Sequence, residues 1–137
     1  MRILFDTNVL LDIALSRGAF ADSSINAYEK VRASGTLPLI APHSLATFYY
    51  MVVRAHNRAT ALTAVQDILA TAEIADFSHE AALQSVQLEM PDFEDAMITS
   101  AALQSGAELI LTRNETDFKH SPIPVQSPEA YLKASAT

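Results

Sequence analysis

Side chains able to offer oxygen to a cation fall at three places in the sequence: Asp6 and Asn8 near the start, Asp92 and Asp95 in DFEDA, and Asn114 and Asp117 in TRNETDF. Carboxylates gathered in one crevice cannot all stay ionised unless something offsets their charge. A hard divalent ion does so, because Mg2+ or Mn2+ prefers oxygen ligands, keeps several waters and binds through a few carboxylates plus a substrate phosphate. Such a centre activates water and stabilises the charge that builds on a phosphodiester during in-line displacement. Hydrolysis of a nucleic-acid backbone is therefore the leading chemistry. Its expected metal ligands are Asp6, Asp92, Asp95 and Asp117, with Asn114 beside them in the catalytic set.

Each of these residues also has a purely structural reading. Asp6 can cap a helix, and Asp92 and Asp95 can serve the helix dipole of a first turn. Of that pair Asp95 is the stronger metal candidate, since it lies nearer the apolar part of its helix, whereas Glu94 reads as a solvated acid. Asn114 and Asp117 can simply shape a turn. Thr112 is either a strand residue or one that positions a ligand or water. His43, His56, His79 and His120 show no paired metal spacing and read as surface or packing residues.

The elements that must position these groups can be read from the pattern. Residues from Asp92 onward carry strong helix formers, with Asp92 and Asp95 at i, i+3 on one face, and Gly106 stands where a helix stops in a left-handed conformation. The apolar run Glu108 to Thr112 predicts a buried parallel strand, and in such sheets ligands bind beyond the carboxyl ends of the strands. Arg2 to Phe5 is a second short strand that delivers Asp6 to the same kind of edge. A helix over Asn8 to Ser16 follows, with Asn8 and Asp12 at i, i+4 on its polar side and Arg17-Gly18 as its end. The clusters around Asp6 and Asn114 meet only if the two strands are neighbours.

The rest of the chain alternates in the same way. Asp22 and Ser23 are candidate caps for a helix running to Gly35, and Leu37 to Ala41 reads as a strand. Pro42 suits the first turn of a helix in which Leu45, Phe48, Tyr49, Val52, Val53 and His56 share a face. A partner helix carries Leu62, Val65, Leu69 and Ala72. Glu73 to Phe77 predicts a short strand, Ser78 a cap, Ile123 to Val125 an edge strand, and Ser127-Pro128-Glu129 the start of a last helix. Alternation predicts an α/β fold, a mainly parallel sheet of four to five strands flanked by helices on both sides.

Composition narrows the options. The 137 residues, half of them hydrophobic, read as a single domain, with no linker or repeat. Without cysteine, a metal must be held by oxygen or imidazole. No apolar run reaches the roughly 20 residues that span a bilayer, the opening MRILFDTN does not read as a signal peptide, and a cytoplasmic location is the default. The net charge of −7 is the wrong sign for a nucleic-acid binder, so binding would rely on local bases, divalent cations or a partner. Arg54, Arg58, Arg113 and Lys119 are the candidates for phosphate contact.

Four segments, taken together, resemble one family: ILFDTNVLLD (3–12), IAPHSLATFYYMV (40–52), DFEDAMITSAAL (92–103) and LILTRNETDFKHSPIPVQSPEAYL (109–132). They resemble PIN domains, and within them the VapC-type toxins, over essentially the whole chain. The resemblance implies a Mg2+- or Mn2+-dependent ribonuclease, an RNA substrate, a cognate antitoxin protein and a homodimer. Asp6 matches the first acid of PIN domains, Asn8 its companion, and Asp95 the acid of the later helix. Asn114, with Asp117 close by, falls where the last acidic or polar ligand stands. One position departs: Thr47 occupies the place of the usual Glu, which weakens metal affinity or shifts the burden to Asp92, and the DFEDA and TRNxxDF segments look like a subgroup sharing that replacement. The alternatives are a catalytically weakened PIN module that binds RNA or a protein, and a phosphate-handling receiver or phosphatase fold. The last two lose on residue type, since DTN offers only one acid where they need two.

Overall fold

Strands β1 (Ile3–Phe5), β2 (Leu39–Ile40) and β4 (Leu109–Leu111) consist wholly of buried apolar residues, as strands covered on both faces must. In the computed structural model, which describes residues 1–135, they join β3 (Glu73–Ile74) and β5 (Val125–Gln126) in a parallel sheet of order β3-β2-β1-β4-β5. Leu4 pairs with Leu39 on one side of β1 and with Ile110 on the other. The first and fourth strands are therefore neighbours.

Successive strand residues point to opposite faces, and the core divides accordingly. Ile3, Phe5, Ile40, Leu109 and Leu111 pack with α1 (Thr7–Leu15), α2 (Gly18–Ala33), α3 (Pro42–Ala55) and α4 (Arg58–Thr71), where Val9, Tyr28, Phe48, Val52 and Ile68 complete the cluster. Tyr131 and Leu132 of α7 (Pro128–Ser135) lie against the same side. Leu4, Leu39 and Ile110 face α6 (Phe93–Gln104) through Ile98, Ala101 and Ala102. Helix α5 (His79–Gln87) packs on α6 through small residues, with Ser85 Oγ donating to the Ala81 carbonyl and 3.0 Å from Ser100 Oγ. Gly106 ends α6 at φ 73°, in the left-handed region expected of it.

The structure corrects several boundaries. Helix α2 begins at Gly18, with Arg17 as an N-cap whose side chain makes no capping hydrogen bond, so Asp22 and Ser23 lie inside the helix and Gly18 opens it. Its start is fixed by tertiary contacts, described below, in place of a local cap. The strands expected over 37–41, 73–77 and 123–125 are shorter or shifted: Pro38 and Pro124 can offer only their carbonyls, which accept from Glu73 N (2.8 Å) and Ile110 N (3.0 Å). Asp92 is the N-cap of α6, with extended backbone (φ −110°, ψ 122°), so it does not share a helical face with Asp95.

Candidate active site

Strand order reverses between β1 and β4, and the crevice beyond such a switch point is where open α/β sheets bind ligands. Asp6 leaves the carboxyl end of β1 there, and Thr112 leaves that of β4. Asp6 is the N-cap of α1, its Oδ1 accepting from Thr7 N at 2.7 Å. Its Oδ2 accepts from Thr112 Oγ1 at 2.8 Å and from Asn8 Nδ2 at 3.4 Å. The residue is only 5% exposed. Capping and site geometry thus coexist in one carboxylate. Burial raises its pKa, the Thr112 and Thr7 hydrogen bonds oppose that rise, and the charges of Glu94 and Asp92 add to it.

Across the crevice, the first turn of α6 supplies more acid. Asp92 Oδ1 accepts from Asp95 N at 3.1 Å. Asp95 is half-buried, and its carboxyl is pushed up to about 7, first by burial and then by the charges of Asp6, Asp92, Asp117 and Glu94. Glu94 is exposed, as a solvated acid should be, and its charge adds to the rise at both Asp6 and Asp95. Beyond β4, Asn114 N donates to Thr112 Oγ1 at 3.1 Å. Asp117, in a 3-10 turn over Glu115–Phe118, donates its N–H to the Asn114 carbonyl at 3.0 Å.

Asp6, Asp92, Asp95, Asn114 and Asp117 are thus gathered around one sheet edge. Among the described residues, however, no three Asp, Glu or His side chains stand close enough to enclose a metal ion. The two observations agree physically, because charges couple over many ångströms whereas ligand oxygens converge on one point. An all-oxygen donor set with uncompensated charge suits a hard ion that retains waters and takes only one or two carboxylates directly.

His43 lies in the first turn of α3. It is half-buried, with Nε2 3.2 Å from the Glu94 carbonyl and its ring 6.3 Å from that of Phe77, so it joins the starts of α3 and α6. Its only sequence signal was its place just after Pro42. Of the phosphate-contact candidates, Arg54 stands in the last turn of α3 and Arg58 at the start of α4. Since α3 starts at the carboxyl edge and rises about 1.5 Å per residue, both are carried towards the opposite edge. Arg113 is engaged elsewhere: its Nε donates to Asp12 Oδ2 at 2.6 Å and its guanidinium lies 4.3 Å from the Phe20 ring centroid. Asp12, expected on a polar helix face, is fully buried. Lys119 is exposed at the end of the 3-10 turn. A groove of about 350 Å³, lined by Leu10, Tyr28, Phe48 and Ile68 together with Glu29 and Asp67, includes none of Asp6, Asp92, Asp95 and Asp117, and no helix among the described residues is long and apolar enough to cross a membrane.

Solved structures share this fold. A toxin-antitoxin complex from Klebsiella pneumoniae is 26% identical, with TM-score 0.71 over 92% of this chain and 97% of that one. VapBC2 from Rickettsia felis, bound to a promoter DNA fragment, is 21% identical, with TM-score 0.76 over 93% and 98%. VapC20 from Mycobacterium tuberculosis, a sarcin-ricin loop cleaving toxin, is 15% identical, with TM-score 0.63 over 79% and 86%. No curated protein matches the chain. The PIN domain model matches residues 2–116, and on that match, with the fold just described, the chain belongs to the PIN domain family.

Proposed function

We propose that the chain is a divalent-metal-dependent endoribonuclease and the toxin of a VapBC-type pair, a single folded domain acting in the cytoplasm. The observation that carries this reading is electrostatic. Asp6 is buried at the switch point with only neutral donors, and it faces Asp95, whose carboxyl is lifted to about 7 by burial and surrounding acids. A site that accumulates unneutralised carboxylate is one that a cation completes.

In this reading Asp6 and Asp95 are the main ligands, with Asp92 and Asp117 contributing directly or through water, and Asn114 orients the substrate or a water. Mg2+ or Mn2+, when bound, supplies positive charge for the phosphodiester transition state and activates water. Thr112 and Thr7 hold the Asp6 carboxylate in place by one hydrogen bond to each oxygen. Thr47, whose Oγ1 donates to the His43 carbonyl at 3.3 Å, offers no carboxylate. Asp92 then carries the charge that the usual Glu supplies in relatives. The substrate is RNA, by analogy with VapC20, a sarcin-ricin loop cleaving toxin. The protein partners are an antitoxin, as in the VapBC and Klebsiella complexes, and a second copy of the chain.

The test is RNA cleavage with Mg2+ or Mn2+ by wild type, Asp6→Asn and Asp95→Asn. Equal rates in all three, or cleavage that survives chelation, would refute the reading. A weakened module that binds RNA or a protein without cutting is the second reading, favoured by Thr47 and by the absence of a tight three-ligand cluster among the described residues. Calorimetric titration with Mn2+ separates them, since the weakened module takes up no ion specifically.

A further inference from the structure

We infer that Arg113 is a positioning residue: clamped at both ends by one stripe of α1, it holds Thr112 and Asn114 against Asp6 and is not a phosphate contact. The inference rests on the nuclease reading for its catalytic consequence but on geometry alone for the clamp.

Asn8 and Asp12 lie four residues apart and so share a face of α1. Asn8 Oδ1 accepts the Arg113 N–H at 3.3 Å, and Asp12 Oδ2 accepts from the guanidinium Nε at 2.6 Å. The main chain and the side chain of one residue are therefore gripped by the same helix, whose N-cap is Asp6 itself. On either side of Arg113 stand the groups that matter to that acid. Thr112 donates to Asp6 Oδ2 at 2.8 Å and accepts from Asn114 N at 3.1 Å.

The anchor is rigid. Asp12 is fully buried, its Oδ1 accepts from Arg17 Nε at 3.1 Å, and Ser24 Oγ of α2 reaches Oδ2 at 3.3 Å. Phe20, also on α2, stacks on the planar guanidinium, the geometry an arginine offers and a lysine does not. With its Nε and one face committed, Arg113 is poorly placed to follow a moving phosphate. It is well placed to keep the segment after β4 from swinging away from β1.

The experiment compares wild type, Arg113→Met, the double variant Asp12→Asn with Arg113→Met, and Ser24→Ala. The double variant neutralises the buried carboxylate that the single change leaves with Arg17 alone, so the loss of the clamp is read without that buried charge. Ser24→Ala disturbs the same carboxylate but leaves Arg113 in place. Three readouts are taken: amide hydrogen exchange at residues 113 and 114, Mn2+ affinity by calorimetry, and RNA cleavage resolved into kcat and KM. We expect faster exchange, Mn2+ binding weakened about tenfold and kcat lowered about tenfold or more with KM nearly unchanged, in both the single and the double variant. Ser24→Ala should show none of these. A stable double variant with wild-type exchange, Mn2+ affinity and kcat overturns the inference. So does a rise in KM at constant kcat, which is the mark of a phosphate contact. If wild type neither binds Mn2+ nor cleaves RNA, the nuclease reading fails, while accelerated exchange in the two Arg113 variants still supports the clamp.

Discussion

Two aspartates six residues apart in sequence are almost equally hidden, Asp6 at 5% exposure and Asp12 at 0%, yet they sit in opposite electrical settings. Asp12 meets two guanidinium groups, Arg17 at 3.1 Å and Arg113 at 2.6 Å. Asp6 meets only a threonine hydroxyl, a backbone N–H and an amide, and the charges that reach it are those of other acids. A buried carboxylate with its counter-ions in place is a joint between elements. One without them bears an uncompensated desolvation cost, which raises its pKa.

The largest effect that tests this contrast is on Asp12. Replacing it by alanine strands two arginines around a buried site, and the expected loss is about 3–5 kcal/mol of stability. Urea unfolding would measure it, and a loss below about 1 kcal/mol would mean that the joint is dispensable. Asp6→Asn is expected to behave the other way. Asparagine still caps α1, so stability should hold or rise slightly. RNA cleavage should fall at least about 100-fold, near 2.7 kcal/mol in barrier.

Asp95 gives the pH signature. Its pKa lies at about 7 in the folded chain, so the unfolded chain ionises first and Asp95 costs stability progressively as pH rises from about 4 to about 7. Without divalent ions, Asp95→Asn should therefore be more stable than wild type by about 1–3 kcal/mol at pH 8, with the gain vanishing near pH 4. Thermal melts at the two pH values check this, and a gain that grows towards acid would contradict it. In wild type, Mn2+ affinity should climb through the same window and level off above it. The smallest expected effect is from Thr47→Glu, which returns an acid to α3 and should tighten Mn2+ binding severalfold, about 1 kcal/mol. Unchanged calorimetric affinity would show that position 47 does not face the ion.

Much of this organisation could be read from residue order. Asp6, Thr112 and Asp95 stand beside apolar runs whose ends are easy to place, so their location at strand ends and in a first helical turn was legible. What could not be read was any property set by distant partners. Asp12 occupies a polar stripe of α1 in the local pattern, and it is buried because Arg113 comes to it from 101 positions away. Helix α2 starts ahead of its apparent caps because Ser24 and Phe20 are fastened to that same pair. The pairing of β1 with β4 likewise lies in topology, which periodicity does not encode. Asp92 misled for a subtler reason: spacing i, i+3 fits both two helical residues and a cap with its third residue, and only backbone angles separate the cases.

The Asp6–Thr112 bond has a consequence during synthesis. A ribosome releases the first acid of this centre early and its hydroxyl partner only after 106 further residues. Domains generally fold as units while they are being made. Every nascent chain that stops short of Thr112 therefore lacks the hydroxyl that holds the Asp6 carboxylate, and the crevice between β1 and β4 cannot be assembled until β4 has emerged.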